Sequence, residues 1–242
     1  GMLIFGMSGT GKTTHTCHTH GLNDKDEGIE ILQDDVIFLK KDGSAYGSER
    51  GFYRKTEGLD SVTQPIIYKA ATSRDTIFEN VMIDYDGNLY FEDDTLTSNG
   101  RGIMMREDLG PYVSNNINLP PIDDMDGLVV AFITRRHTVV LLAARLTPEQ
   151  AAATFMLGES IETSAGDPKR AGESIREVGT NPFIIGDKSY EGNWFYDFVK
   201  RHEGKVQCYQ LNTGGLGEII ENQPNGVKVL KRKVQRIEIP EM

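Results

Sequence analysis

The sequence predicts a mixed α/β domain built around a phosphate-binding loop, and three observations carry that expectation. The apolar run Met2-Leu3-Ile4-Phe5 leads into Gly6-Met7-Ser8-Gly9-Thr10-Gly11-Lys12-Thr13, which fits G-x-x-x-x-G-K-[ST] at every fixed position. Short apolar or alternating runs divided by Asp-Gly turn signals outnumber the helical stretches. No internal repeat and no regular strand–helix alternation is visible, which suits a mixed sheet.

The elements follow in order. Met2 to Phe5 reads as a buried strand, and Thr13 to His20 as a helix stopped by Gly21. Ile29, Ile31 and Leu32 form a second short strand that ends in Asp34-Asp35. Asp42-Gly43 and Asp86-Gly87-Asn88 mark hairpins, the latter between "ENVMIDY" and "NLYFED". "GLVVAFIT" (127–134) and "TVVLLAA" (138–144) read as buried strands. Thr147-Pro148-Glu149-Gln150 is a helix start, with an N-cap threonine and proline in first position, for a helix from Pro148 to about Glu162. Asn193 to Arg201 is a second helix, and "KVQCYQL" returns to strand. Val227, Val229, Ile237 and Ile239 alternate with polar residues as half-exposed strands do.

Bulk properties narrow the function. The 242 residues fit one large domain or a core with a small satellite, and 38% hydrophobic content supplies a core. A formal net charge of −10 argues against nucleic acid and anionic membranes as partners. Two cysteines, Cys17 and Cys208, are too few for a disulfide framework and point to a reducing cytoplasm. No apolar run is long enough to span a bilayer and no signal peptide is visible. Gly1 before Met2 reads as a tag remnant.

The glycines of the loop let successive backbone N–H groups curl around an anion, with the following helix adding its positive end. Lys12 is placed to reach the β- and γ-phosphates, and the Thr13 hydroxyl to ligate Mg²⁺. Magnesium prefers hard oxygen ligands, so Asp34-Asp35 at a strand end suits the same cation. Adjacent strand residues point to opposite faces, so one aspartate serves the nucleotide's metal and the other a second metal or a metal-bound water, unless the strand has already ended. An acidic turn is the plainer alternative.

Other clusters invite weaker readings. His15, Cys17, His18 and His20 are zinc-ligand types, but no second ligand pair lies elsewhere, and a solvated helix face accounts for them. Asp84 to Asn88 resembles part of a calcium loop yet lacks the later glutamate, so a hairpin turn fits better. Arg101 and the pair Arg135-Arg136 are able to neutralise phosphate charge, though each alone reads as a surface residue. "LKRKVQR" reads as a charged strand face.

Taken in order, "GMSGTGKTT", the double aspartate, "ERGFYRK", "IFENV", "LTSNGR", "RLTPEQAAATFMLG", "SAGDPKRAG" and "LNTGGLGE" resemble the ATP-dependent phosphoenolpyruvate carboxykinases, from Leu3 to about Pro240. The loop lacks the cysteine of the GTP-using branch. The resemblance implies a mixed-sheet P-loop domain of that family's C-terminal type. It also implies oxaloacetate and ATP giving phosphoenolpyruvate, CO₂ and ADP, with Mg²⁺ on the nucleotide and a second divalent ion, commonly Mn²⁺. Carried over by position, Ser8, Gly9, Thr10, Gly11, Lys12, Thr13 and Thr14 would cradle the phosphates. Thr13, Asp34 and Asp35 would be metal ligands, Asp35 the direct ligand of the second ion. Arg101 would stabilise the transferring phosphoryl group; with Lys12 and Asp35 it completes the expected catalytic set. Gly51, Lys55, Arg170 and Thr180 would contact the nucleotide.

Departures qualify that inference. The family's N-terminal lobe, which supplies an oxaloacetate-binding arginine and a lysine and histidine for the second metal, has no counterpart here. "FITRRHTVV" replaces a stretch that carries an aspartate and a glycine in the family. Residues 1–242 are therefore expected to form a truncated nucleotide-binding domain, weak or inactive alone, that takes nucleotide and oxaloacetate or phosphoenolpyruvate. Two other functions compete: a kinase of a carrier-protein serine with Asp34 as base, and a non-catalytic ATP-sensing module using Arg135-Arg136-His137.

Overall fold

The computed structural model describes residues 1–22, 26–93, 95, 97, 99–136, 140–161, 170, 173–176, 184–214, 219–222 and 228–232. They form a mixed α/β structure of two compact units, one of Gly1–Lys12 with Met125–Met242 and one of Thr13–Asp124.

The chain begins with strand β1 (Met2–Gly6), passes through the glycine-rich loop and enters the short helix α1 (Lys12–Thr16). The expected helix to His20 is shorter because the chain turns at its end: His20 adopts φ 55° and its N–H bonds to His18 Nδ1 at 2.9 Å. The expected strand at Ile29–Leu32 is also absent. Ile31 makes only a parallel bridge to Val113, although its side chain is buried.

Within the second unit, β2 (Ile37–Leu39) and β3 (Ala45–Gly47) form the hairpin expected at Asp42-Gly43. Strand β4 (Gly51–Lys55) is followed by helix α2 (Pro65–Ala71) and strand β5 (Ile77–Glu79). Strands β6 (Met82–Ile83) and β7 (Leu89–Tyr90) flank the turn at Asp86-Gly87. Asp84 ties that turn by accepting from the N–H groups of Asp86 and Asn88, so its carboxylate serves the hairpin as expected. Strand β8 (Arg101–Met105) lies between β4 and β5 in an antiparallel sheet. The inner face of this sheet, Phe52 and Met104, packs with Ile66, Ile67, Ala70 and Ala71 of α2 and with Cys17, Ile31 and Leu109.

The first unit resumes with β9 (Leu128–Thr134), the middle of a sheet ordered β1, β9, β13 and β10. Strand β9 runs parallel to β1 and to β13 (Val206–Asn212). A strand covered on both sides needs apolar residues at every position, and Leu128, Val130, Ala131, Phe132 and Ile133 are all buried. The edge strand β10 (Ala143–Leu146) pairs antiparallel with β13 and starts later than the apolar run from Thr138 suggests; residues 137–139 lie outside the described set.

Helix α3 (Pro148–Leu157) has the expected start: Thr147 Oγ1 accepts from the Gln150 N–H, and the Gln150 side chain accepts from the Thr147 N–H. It ends at Gly158 rather than Glu162, because the chain leaves into β11 (Glu159–Ile161), which pairs with β12 (Ser174–Arg176). Helix α4 (Lys188–Arg201) starts earlier than expected, capped by Asp187 accepting from the Ser189 N–H at 2.8 Å. Gly192 hides that first stretch, since glycine reads as a breaker. Its role is close approach: a Cβ there would meet Met156 Cγ at 2.8 Å. Phe155 of α3 and Phe195 of α4 stack with centroids 4.6 Å apart, and Phe132 of β9 meets Phe195 edge-on at 5.8 Å. Strands β14 (Ile219–Asn222) and β15 (Lys228–Arg232) form a hairpin. The alternation expected at Ile237 and Ile239, and most of the charged face "LKRKVQR", lie outside the described residues. No helix among the described residues is long and apolar enough to cross a membrane.

Candidate functional site

Gly6 closes β1 where a side chain has no room. A Cβ there would lie 2.7 Å from both Ile133 O and Thr10 Oγ1. Gly9 and Gly11 take φ values of 77° and 104°, the left-handed region that glycine adopts without strain. Thr10 is buried at the loop's base, where its hydroxyl donates to Met7 O at 2.8 Å. Thr213, just past β13, donates from Oγ1 to Thr10 O at 2.7 Å and to Thr134 O at 3.1 Å. The strand ends of the sheet thus hold the loop in shape before any ligand arrives. Ser8 and Gly9 form its exposed tip, and Lys12 Nζ donates to Met7 O at 3.2 Å. The Thr10 N–H also turns back to Met7 O at 3.4 Å, so Thr10 is a fastener of the loop's base.

In the second unit the Thr13 hydroxyl donates to Asp34 Oδ2 at 2.7 Å, and Asp34 is buried. The pair joins two expected metal ligands in a direct contact of hard oxygens. Gln33 fixes the loop that carries Asp34: its Oε1 accepts from the N–H groups of Ser48 and Glu49, and its Nε2 donates to Val36 O. Asp35 is exposed with φ 68°, so no strand extends through the pair. Burial, followed by the charges of Asp35 and Asp34, pushes the Glu49 carboxyl above its usual range. Burial, followed by Asp34, likewise raises the Cys17 thiol, which is inert as a nucleophile.

The Thr14 hydroxyl is engaged within the second unit. It donates to Gln64 Oε1 at 3.2 Å and accepts from the Arg54 guanidinium at 3.0 Å, while Arg54 also bonds to Gln64 Oε1.

Lys55 and Arg101 come together on the outer face of the three-stranded sheet, while Gly51 lies at the other end of β4, opposite Met105. Lys55 and Arg101 are register partners on β4 and β8, which places two cations side by side. The Arg101 guanidinium carbon lies 5.6 Å from the centre of the Tyr53 ring, and Tyr53 Oη donates to Glu79 Oε2 at 3.2 Å. Lys55 is ion-paired with Glu57. Tyr53 orients the arginine, and only its place two residues before Lys55 on one strand face hinted at that.

The histidine cluster is not a solvated helix face. His15 is buried, His18 and His20 lie past the end of α1, and the His15 and His20 rings stack at 5.7 Å. Burial, followed by the neighbouring rings of His20 and His18, lowers the His15 pKa to about 4. Among the described residues, no group of three or more His, Cys, Asp or Glu is arranged to hold a metal ion. Arg170 is exposed and paired with Glu173 at 3.0 Å, and Thr180 lies outside the described residues.

A family model described as phosphoenolpyruvate carboxykinase matches residues 1–236. The chain belongs to the phosphoenolpyruvate carboxykinase family. It is 37% identical over 214 residues to a phosphoenolpyruvate carboxykinase (ATP) of Aeropyrum pernix, covering 88% of this chain and 41% of that protein. It is 31% identical over 221 residues to one from Rhodopseudomonas palustris, covering 90% of this chain and 38% of the relative. A Bradyrhizobium diazoefficiens relative of the same name is 29% identical over 219 residues. The chain thus spans about two fifths of the length of the carboxykinases it matches.

Proposed function

We propose that this chain is the P-loop, Mg-ATP-binding part of an ATP-dependent phosphoenolpyruvate carboxykinase. In that reaction oxaloacetate loses CO₂, and the enolate oxygen takes the γ-phosphoryl group of ATP and releases ADP. The observation that carries the reading is the 2.7 Å bond from Thr13 to Asp34, made by the residue directly after the phosphate lysine.

Each group has a role that its chemistry suits. The backbone from Ser8 to Thr14 cradles the phosphates and Lys12 binds them as a point charge. Thr13 and Asp34 hold Mg²⁺, as the hard-oxygen pair requires, and Asp35 is the ligand for a second ion such as Mn²⁺. Bound there, a divalent cation neutralises phosphate charge. Arg101, steadied by Tyr53, spreads charge on the phosphoryl group in flight, with Lys55 beside it. Gly51, Arg170 and Thr180 complete the nucleotide contacts. The two cysteines, free and buried, fit a reducing cytoplasm as the enzyme's compartment.

The chain spans about two fifths of the carboxykinases it matches, and alone it is expected to bind Mg-ATP and turn over oxaloacetate weakly or not at all. Equilibrium Mg-ATP binding paired with a coupled phosphoenolpyruvate assay tests this. Binding with little product supports the proposal, and failure to bind Mg-ATP refutes it.

A further inference from the structure

Arg54 sits between Tyr53 and Lys55 on β4, but strand alternation directs it to the inner side of the sheet, with Phe52 and Met104. Its guanidinium closes a triangle. It donates to the Thr14 hydroxyl at 3.0 Å and to Gln64 Oε1, and Thr14 donates to the same Gln64 oxygen at 3.2 Å. Gln64, at the start of α2, is fixed in turn by donating from Nε2 to Gly58 O at 2.9 Å. Its Nε–H is shielded from water and has no partner.

A buried guanidinium whose bonds go to neutral oxygens, with its Nε–H unused, is costly to fold around. Filling this space needs only an apolar chain of similar length. A cation here, next to the backbone that follows Lys12 and Thr13, becomes favourable when an anion occupies the neighbouring site. The electrostatics agree: burial depresses the Arg54 pKa, whereas Cys17 and Asp34 both pull it upward.

We infer that Arg54 is a positioning residue for the nucleotide phosphates: it locks the Thr14 hydroxyl to Gln64, holding the chain that follows Lys12 and Thr13, and adds a buried positive charge near Asp34. The inference rests on the Mg-ATP reading above. Arg54 touches no reacting atom and works through Thr14.

The test compares Mg-ATP affinity and nucleotide-free Mn²⁺ affinity in the unsubstituted chain, R54M, R54K, T14V and the R54M/T14V double variant. R54M keeps the bulk of the side chain and so separates folding from binding, and melting temperatures are recorded for all. R54M and T14V are expected to weaken Mg-ATP roughly tenfold each, the double variant no more than either single one, and R54K to recover part of the loss. Mn²⁺ alone is expected to bind R54M more tightly than the unsubstituted chain, since a positive charge near Asp34 has gone. That opposite sign is what loss of packing does not produce. Unchanged Mg-ATP affinity in R54M overturns the inference alone, as does a parallel loss of Mg-ATP and Mn²⁺. Absence of Mg-ATP binding by the unsubstituted chain overturns the nucleotide reading and this inference with it.

Discussion

Single residues set the chemistry of the loop. Lys12 rests on Met7 O at 3.2 Å, a neutral carbonyl that a phosphate outcompetes. Replacing it in K12M is expected to weaken Mg-ATP roughly 10- to 100-fold, read by titration calorimetry, with little change in melting temperature. His15 makes a prediction of the opposite kind, on stability alone. Its pKa is about 4 when folded and near the ordinary 6.5 when unfolded, so the unfolded chain binds more protons between those values. Stability should therefore fall as pH drops from about 6.5 to 4, by about 3 kcal/mol from this group. Urea titrations across that range should show the slope flattened in H15F; an identical slope would contradict the assignment. The two residues differ in how readable they were. Lys12 follows from a fixed spacing of glycines, whereas the burial of His15 depends on where α1 stops. That stop comes at Thr16, ahead of the left-handed turn at His20, and no residue type signals it.

Elements fix which side chains meet. Strand β4 sends Gly51, Tyr53 and Lys55 outward and Phe52 and Arg54 inward, so one run of sequence serves two faces. The outward set was legible in part, as Gly51 and Lys55, but Arg54 needed the register and the neighbouring Gln64. The apolar "IEIL" before Asp34 looked like a strand yet finds only a single bridge, because pairing is a property of the partner as much as of the run. Helix α4 was recognised late because Gly192 masks its first turns. In the first unit, the ring of Phe155 on α3 stacks on fully buried Phe195 of α4. Truncation in F195A is expected to cost about 3–5 kcal/mol, measured by chemical denaturation. G6A places a methyl group 2.7 Å from the backbone oxygen of Ile133 and should deform the loop, lowering Mg-ATP affinity more than it lowers stability.

At the scale of the molecule, the second unit interrupts the first between Lys12 and Met125, while β1 still pairs in parallel with β9 on the far side of that interruption. The mixed α/β class and the runs that become β1, β9 and β13 are legible in the sequence, but not this pairing, which depends on contacts across a whole intervening unit. The order of short motifs carried the family, now matched over residues 1–236. The account centres on Mg-ATP binding through the Thr13–Asp34 pair. Titration calorimetry of this chain with ATP, with and without Mg²⁺, and of T13V and D34N, tests it most directly. Saturable one-to-one binding that needs Mg²⁺ and falls at least tenfold in both variants is the predicted result. Binding that is absent, or indifferent to Mg²⁺, Thr13 and Asp34, would contradict it.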